Sequence, residues 1–228
     1  MRSEDVSLRI AAFHGRVAAG AHHRYRSWEH CYRFFKTSGR ETIRANRNIA
    51  ALQLGFYLAS WGMYRGSSFL LQHDYLIHEN VIERLASTEF DELWQREIGS
   101  GPSDPELVEL VLAAVNAVKD AYRPFGNATD TLATKVLLGT LACVPACDRY
   151  FVEGFKHSGR RYSKLNSRFV ERIIEFCTVN SIELRKQQAS ILKNGGMRYP
   201  LMKLADMYFW ETGFTANGGA PRDDREAL

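Results

Sequence analysis

Apolar residues recur at helical spacing along almost the whole of this 228-residue chain. One face of an α-helix presents residues three or four positions apart, so this pattern predicts helices that each bury one side. The alternation of apolar and polar residues that is typical of β-strands and hairpins is missing from the sequence. We therefore predict an all-α protein.

Turn residues and helix caps divide this periodic pattern into segments. Ser103-Asp104-Pro105-Glu106 combines a cap with a first-turn proline and a glutamate, so a helix is expected from Pro105 to Ala121, ended by Pro124. The stretch from Glu41 to Gln72 is expected to form one long helix, or two helices with a kink near Gly62 or Gly66. The other predicted helices are Val6 to Ala19, His22 to Phe35, Asn80 to Ser87, Thr131 to Cys143, Ala146 to His157, Lys164 to Leu192 and Pro200 to Thr212.

The length of the chain is sufficient to bury a core without crosslinks. Residues 1–215 are therefore expected to form a compact multi-helix single domain or two closely packed helical lobes. The turn-rich stretch 124–130 is the candidate boundary between lobes. Residues 216–228 are rich in small and charged residues, which predicts a flexible tail.

The cysteines and the apolar stretches indicate the cellular compartment. Four cysteines are too few and too scattered for a disulfide framework, so we expect reduced, buried thiols in a cytoplasmic protein. Cys143 and Cys147 have the spacing of metal ligands on a helix, but no second pair lies near them, so neither a metal nor another cofactor is expected. The N-terminus lacks the apolar core of a signal peptide. Polar residues interrupt the longest apolar stretch, Ile49 to Leu71, which argues against a membrane span.

The net charge of +4 conceals a segregation of charges along the chain. Residues 1–50 carry ten Arg or Lys against four Asp or Glu, residues 121–203 carry fourteen against six, and residues 51–120 carry four against eleven. These blocks could form one basic and one acidic face, or neutralise each other within the fold. Arginines outnumber lysines 22 to 8, and arginine binds phosphate through two parallel hydrogen bonds. The composition favours a phosphate-rich partner, DNA first and RNA as the alternative.

Two charged residues stand out in the apolar block from Thr131 to Phe155, which is entered through Lys135 and left through Asp148. Pro145 breaks a helix, so Asp148 is expected in the first turn of the next one, where the helix dipole favours an ionised carboxylate. Such an aspartate can orient a water molecule or stabilise a developing cation, or it can simply cap its helix or pair with an arginine. Lys135, near a predicted helix start, suits a DNA phosphate.

The layout TLATK, an apolar stretch and then VPACD resembles the core of the helix-hairpin-helix superfamily of DNA glycosylases. In that family a lysine-bearing helix leads through an apolar run to a proline, a hydrophobic residue and a catalytic aspartate that opens the next helix. The resemblance covers 25 of the 228 residues and implies a catalytic role for Asp148. The glycine-rich hairpin of the family and the four-cysteine iron–sulfur loop of some members have no counterpart. Lys135 lies closer to Asp148 than the family spacing, which assigns it to a phosphate contact rather than to a Schiff base.

The implied activity is that of a monofunctional DNA glycosylase, which flips a modified or damaged base and hydrolyses its N-glycosidic bond, in repair or in anti-viral defence. The expected nucleic-acid contacts are Lys135, Arg160, Arg161, Lys164 and Arg65. For Arg160, Arg161 and Lys164 the alternative is an ordinary solvated turn. The expected base pocket consists of Trp61, Tyr64, Tyr150 and Trp210, for which the alternative is packing in the core. Asp206, which follows Lys203 in an otherwise apolar helix, is the reserve carboxylate.

Two other classes of function fit the sequence. Arg24 and His30 are separated by five residues, a spacing that resembles the motif of the helical HEPN ribonucleases, which cleave RNA without a metal. The structural alternative for this segment has Trp28, Tyr32 and Phe35 packed inward.

The third hypothesis is a non-catalytic helical module that binds a nucleic acid or a protein. The sequence does not determine the oligomeric state.

Overall fold

The computed structural model describes residues 3–162, 164–194 and 196–219 of the chain. This described part consists of eleven α-helices joined by turns and contains no strand, so the predicted all-α class is confirmed. None of the described helices is both long and apolar enough to cross a membrane. The expected tail falls mostly on residues 220–228, which lie outside the described residues.

The helices begin and end as follows: α1 (Ser3–Ala18), α2 (Ser27–Ala45), α3 (Arg47–Ser60), α4 (His78–Leu85), α5 (Asp91–Gln95), α6 (Pro105–Tyr122), α7 (Asp130–Thr140), α8 (Arg149–His157), α9 (Ser167–Val179), α10 (Ser181–Lys193) and α11 (Leu201–Ala216). Short 3-10 turns lie at Arg24–Arg26, Phe69–Gln72, Tyr75–Ile77 and Thr88–Phe90.

Side-chain caps set several helix starts where the sequence predicted them. The Asp104 carboxylate accepts a hydrogen bond from the Leu107 N–H at 2.7 Å and opens α6, with Pro105 in the first turn. Asp148 caps α8 in the same way, because its Oδ1 accepts the Phe151 N–H at 3.1 Å. These caps satisfy backbone N–H groups that have no partner within the helix.

The prediction of helix from Glu41 to Gln72 is wrong at Asn46, where α2 ends and α3 begins, and again beyond Ser60. Residues 61–68 form a loop, in which Gly62 and Gly66 adopt positive φ angles of 72° and 56°. Two such residues within five positions cannot continue a right-handed helix. The loop carries Trp61 and Tyr64.

The predicted helix from Lys164 to Leu192 is divided at Asn180. Its side-chain amide donates to the Phe176 carbonyl at 2.8 Å and ends α9, and α10 begins at the next residue. Asparagine side chains often bond the nearby backbone in this way and so terminate helices. The expected start at His22 is also replaced, by the 3-10 turn Arg24–Arg26 that precedes α2.

Each of the eleven helices contributes buried apolar side chains to one contiguous core, which spans both sides of the 124–130 connection. Helix α11 lies at its centre and packs against α8, α1, α9 and α10. Helices α8 and α11 touch through their backbones: a Cβ atom on Gly154 would lie 1.8 Å from the Phe209 carbonyl oxygen, and one on Gly213 would lie 1.9 Å from that of Tyr150. This close approach brings the start of α8 against α11.

Candidate functional site

Two lysine–aspartate pairs are buried where α7, α8 and α11 meet. The Lys135 Nζ donates to Asp148 Oδ2 at 3.1 Å, and the Lys203 Nζ donates to Asp206 Oδ2 at 2.7 Å. The exposed fractions of the Lys135, Lys203 and Asp206 side chains are 3%, 2% and 2%. Burying an ion costs several kcal/mol even when a partner compensates part of it, and such clusters concentrate at functional sites. We call these four residues the lysine–aspartate quartet.

Hydrogen bonds from two helices hold the turn that delivers Asp148. The Ala146 N–H donates to Asp206 Oδ1 at 3.0 Å, and the Cys147 N–H donates to the Thr134 hydroxyl at 2.9 Å. Asp206 belongs to α11 and Thr134 to α7, so the position of Asp148 depends on both helices. We call Lys203 and Asp206 the sealed pair. This pair supports the turn in front of α8.

Asp148 is the one member of the quartet that reaches the surface, with 18% of its side chain exposed. Its two oxygens accept from the Phe151 N–H and from the Lys135 ammonium. The structural alternative for this residue is thus confirmed in one respect, since Asp148 is a helix cap, and its charged partner is a lysine rather than an arginine. These contacts orient the carboxylate and leave part of it accessible.

The aromatic ring of Trp61 packs against both lysines of the quartet. The Nζ atoms of Lys135 and Lys203 lie 4.8 and 5.0 Å from its ring centroid, and the ring of Tyr25 stacks on it at 4.4 Å with an interplanar angle of 20°. An ammonium ion over an aromatic face recovers about 2 kcal/mol when it is desolvated. Lys203 has two further ring neighbours, Phe13 at 5.2 Å and Trp28 at 5.0 Å.

Burial dominates the electrostatics around the sealed pair. It lowers the pKa of Lys203 and raises the pKa of Asp206, while the attraction between the two groups opposes both shifts. Burial also raises the pKa of Tyr57 well above its usual value, with a further contribution from the charges of Asp206 and Asp148. The phenol of Tyr57 is therefore neutral at physiological pH.

The structure places two of the expected phosphate contacts differently from the prediction. Lys135 is buried and directed at Asp148, so its ammonium cannot reach a phosphate on the protein surface in this conformation. The sequence failed to reveal this because the pairing depends on the turn between α7 and α8. Arg65 is not inside an apolar helix but exposed on the 61–68 loop.

The expected basic cluster lies beyond the C-terminal end of α8, whereas Asp148 lies at its N-terminal end. Arg160 is half-buried, with its guanidinium 5.5 Å from the ring centroid of Phe176, and its Nη1 donates to the Ser158 hydroxyl at 3.0 Å; burial lowers its pKa. Arg161 and Lys164 are exposed. The length of α8, roughly 13 Å, separates this cluster from the quartet.

Three of the four expected base-pocket residues are brought together. Trp210 is buried and meets Tyr150 edge to face at 5.1 Å, and Tyr25 connects Trp210 (6.0 Å) to Trp61 (4.4 Å). Tyr25 was not identified from the sequence, and its only signal was the run of polar and aromatic residues at 22–26. Because its ring covers one face of Trp61 and the lysines cover that ring as well, a ligand could stack on Trp61 only by displacing Tyr25.

The fourth residue, Tyr64, belongs to a separate buried cluster. Its hydroxyl lies 2.6 Å from His78 Nε2, and the Tyr122 hydroxyl lies 2.6 Å from His78 Nδ1. Burial lowers the pKa of His78 to about 4 and raises the pKa of Tyr64 to about 12. At neutral pH the imidazole therefore donates to one phenol and accepts from the other. We call these three residues the tyrosine–histidine triad.

Arg24 and His30 are both exposed, on the first 3-10 turn and on α2, and Trp28, Tyr32 and Phe35 are buried as the structural alternative predicted. All four cysteines are free and buried, and burial raises the pKa of Cys143 to about 12. Within the described ranges no group of three or more potential metal ligands occurs.

Two surface cavities lie away from the quartet. One, of about 470 Å³, is lined by residues of α1, α8 and α11 that include Asp5, His157 and Tyr208. The other, of about 640 Å³, lies between α4 and α6. Neither is lined by a member of the quartet. No protein-family model matches this sequence, and no match was found among curated proteins or solved structures.

Proposed function

We propose that this protein is an N-glycosidic hydrolase of the DNA glycosylase class, with Asp148 as the catalytic carboxylate. One observation carries the proposal: Asp148 is the exposed end of a buried charged quartet and is held by a helix N-terminus and by Lys135. A carboxylate fixed in this way needs no reorganisation when positive charge develops beside it.

The chemistry requires one group of this kind. As the bond between C1′ and the base nitrogen breaks, its electron pair leaves with the base and the sugar acquires oxocarbenium character. The Asp148 carboxylate stabilises that charge and accepts a proton from the water that attacks C1′. Lys135 is a positioning residue, because it contacts Asp148 and is shielded from the substrate by burial.

The aromatic surroundings supply the second requirement, which is a surface for an extruded base. Tyr25, Trp61 and Tyr150 are all partly exposed, and Tyr25 would have to move aside for a base to stack on Trp61. Trp61 also carries a buried indole N–H for which no described residue provides an acceptor. Aromatic faces bind bases by stacking. Repair and anti-viral defence both use this chemistry.

The direct test is base excision by the full chain. Labelled single- and double-stranded oligonucleotides would each carry one uracil, hypoxanthine, ethenoadenine or 8-oxoguanine, and products would be resolved with and without alkali. We expect strand breaks that appear only after alkali. Asp148→Asn preserves the helix cap and is expected to lower the rate about 10²- to 10⁴-fold.

Asp104→Asn is the matched control, since Asp104 caps α6 through the same kind of hydrogen bond. This variant should keep full activity. Intact DNA together with RNA cleavage that is lost in His30→Ala would replace the proposal with the HEPN-like ribonuclease. Binding without cleavage of either nucleic acid would leave a non-catalytic module.

A further inference from the structure

Two exposed arginines each lie over a tyrosine ring. The Arg24 guanidinium carbon is 5.0 Å from the ring centroid of Tyr25, and that of Arg149 is 4.7 Å from the ring centroid of Tyr150. No carboxylate oxygen of a described residue lies within 4.0 Å of either guanidinium. Among the described residues the Arg24 Nη2 donates to the Tyr25 hydroxyl at 3.3 Å, and neither guanidinium is neutralised by a carboxylate.

The two stacks are parts of one surface. Both tyrosines contact Trp210, at 6.0 and 5.1 Å, so their rings lie within about 11 Å of each other. Arg149 directly follows Asp148 in the chain, and Tyr25 stacks on Trp61, which covers Lys135. Both stacks are therefore connected to the quartet, one through the chain at Asp148 and the other through Trp61. We call Arg24, Tyr25, Arg149 and Tyr150 the arginine–tyrosine mouth.

The chemistry of the mouth fits a nucleic-acid strand. A guanidinium held over a ring keeps N–H groups that can bind a phosphate through two hydrogen bonds, and the hydroxyl of Tyr25 engages one nitrogen of Arg24. The tyrosine rings offer surface on which an unpaired base can stack.

We infer that the arginine–tyrosine mouth binds the backbone phosphates on either side of one unpaired nucleotide and so presents its sugar to Asp148. The inference rests on the proposed function, because excision is the reason why a strand would bind here. Binding itself can be measured without excision. It also gives Arg24 a role that differs from the ribonuclease hypothesis, because Arg24 here contacts phosphate and works without His30.

The test is fluorescence anisotropy of the full chain with labelled (dT)10, (U)10, a fully paired 20-bp duplex and the same duplex with one bulged thymidine. We expect the single strands and the bulged duplex to bind more tightly than the paired duplex. Arg24→Gln and Arg149→Gln should each reduce the slope of log affinity against log salt by about 0.7 on single strands. Tyr25→Ala and Tyr150→Ala should each weaken binding about 5- to 150-fold.

Arg84→Gln is the matched control, because Arg84 also lies over a ring, that of Phe90 at 5.6 Å, but pairs with Glu89 at 2.9 Å. It should leave binding unchanged. The competing surface is tested by Arg161→Gln and Lys164→Gln. Circular dichroism melts would verify that each variant is folded.

Unchanged salt slopes in both mouth variants would overturn the inference, as would equal affinity for the paired duplex or a loss confined to Arg161 and Lys164. Binding of either (dT)10 or (U)10 through the two arginines supports it, and their relative affinity identifies the preferred sugar. The two proposals can fail separately. If a strand binds through Arg24 and Arg149 but no base is excised, only the proposed function is contradicted. If bases are excised at the same rate in the Arg24 and Arg149 variants, only the role of the arginine–tyrosine mouth is contradicted.

Discussion

The 61–68 loop joins two buried polar clusters that compensate in different ways for the loss of contact with water. Through Trp61 it covers the lysine–aspartate quartet, which consists of four charged groups, and through Tyr64 it enters the tyrosine–histidine triad, which is neutral. In the triad each imidazole nitrogen has one phenol at 2.6 Å, so hydrogen bonding is complete within the protein. In the quartet one carboxylate remains partly open to solvent. A satisfied neutral cluster anchors a loop, whereas a charged cluster with an open end is suited to chemistry.

The quartet contains the same contrast within itself. Lys203 and Asp206 are sealed, and their pairing holds the turn before α8, whereas Asp148 is reachable from outside. The sequence offered both aspartates as candidate carboxylates. Asp206 is not exposed and supports the turn before α8, so Asp148, which is partly exposed, is the candidate for catalysis. The following four predictions test this division, beginning with the largest expected effect.

Breaking the sealed pair is expected to cost the most stability. Asp206→Ala leaves the Lys203 ammonium buried without a counter-ion and frees the Ala146 N–H, so the free energy of unfolding should fall by about 3–5 kcal/mol. Urea denaturation measures this loss. The double variant Lys203→Met/Asp206→Leu removes both charges and should recover most of it. If the single variant is as stable as the parent protein, the pair is not the support described above.

The triad is expected to make stability depend on pH. The pKa of His78 is about 4 in the fold and 6.5 in the unfolded chain, so the unfolded state binds more protons between these values. Stability is therefore present above pH 6.5 and is lost as the pH falls toward 4, by about 3 kcal/mol in total. Urea titrations at pH 7 and 4.5 would show a smaller difference in His78→Gln than in the parent protein. An equal difference would mean that the imidazole is charged in the fold.

Substitution at the open end of the quartet is expected to cost less stability than at the sealed pair. In Asp148→Asn the single amide oxygen can keep the cap on α8, but the NH2 group that replaces Oδ2 cannot accept from Lys135. Water reaches this side chain and compensates part of the lost contact, so we expect a loss of about 2 kcal/mol. The same urea assay compares it with Asp206→Asn, which should lose more. A larger loss at Asp148 would mean that the pair of Lys135 and Asp148, which we consider functional, contributes more to stability than the sealed pair.

Removing one hydroxyl from the triad should have the smallest effect. Tyr64→Phe deletes one of the two hydrogen bonds to His78, and the expected loss is about 1 kcal/mol. Tyr75→Phe is its control, because the Tyr75 hydroxyl donates to Asn48 at 3.3 Å on the exposed surface and should contribute almost nothing. A loss of several kcal/mol in Tyr64→Phe would indicate that the triad, too, depends on a complete network.

Local interactions account for the parts of the fold that could be predicted. The caps at Asp104 and Asp148 act on backbone groups three residues away, so the sequence contains all their partners. The 61–68 loop was missed because its flanks carry apolar residues at helical spacing, and this pattern outweighed the two glycines. The division at Asn180 was missed because an asparagine inside such a pattern is more often an exposed helical residue.

The candidate site was predicted in part, for the same physical reason. Lys135 and Asp148 were both identified, but their pairing was not, and Lys135 was assigned to a surface that it does not reach. Tyr25 and Trp28 come from the N-terminal third of the chain and meet Trp61 or Lys203 only through tertiary packing. Arg24 and Arg149 are 125 positions apart, and nothing in the spacing between them indicates a shared surface.

The sequence by itself determined that this chain is helical, where several helices begin, and that an aspartate opens α8 after an apolar run. These properties arise from backbone hydrogen bonds and caps within about one helical turn. Only the tertiary structure decided which charges are sealed and which is open. That choice depends on the contact of α8 with α11 through Gly154 and Gly213, and on Trp61 lying over the quartet. Burial is a property of the whole packed core, and it therefore separates the partly exposed Asp148 from the sealed Asp206, which the sequence could rank only as first and reserve candidates.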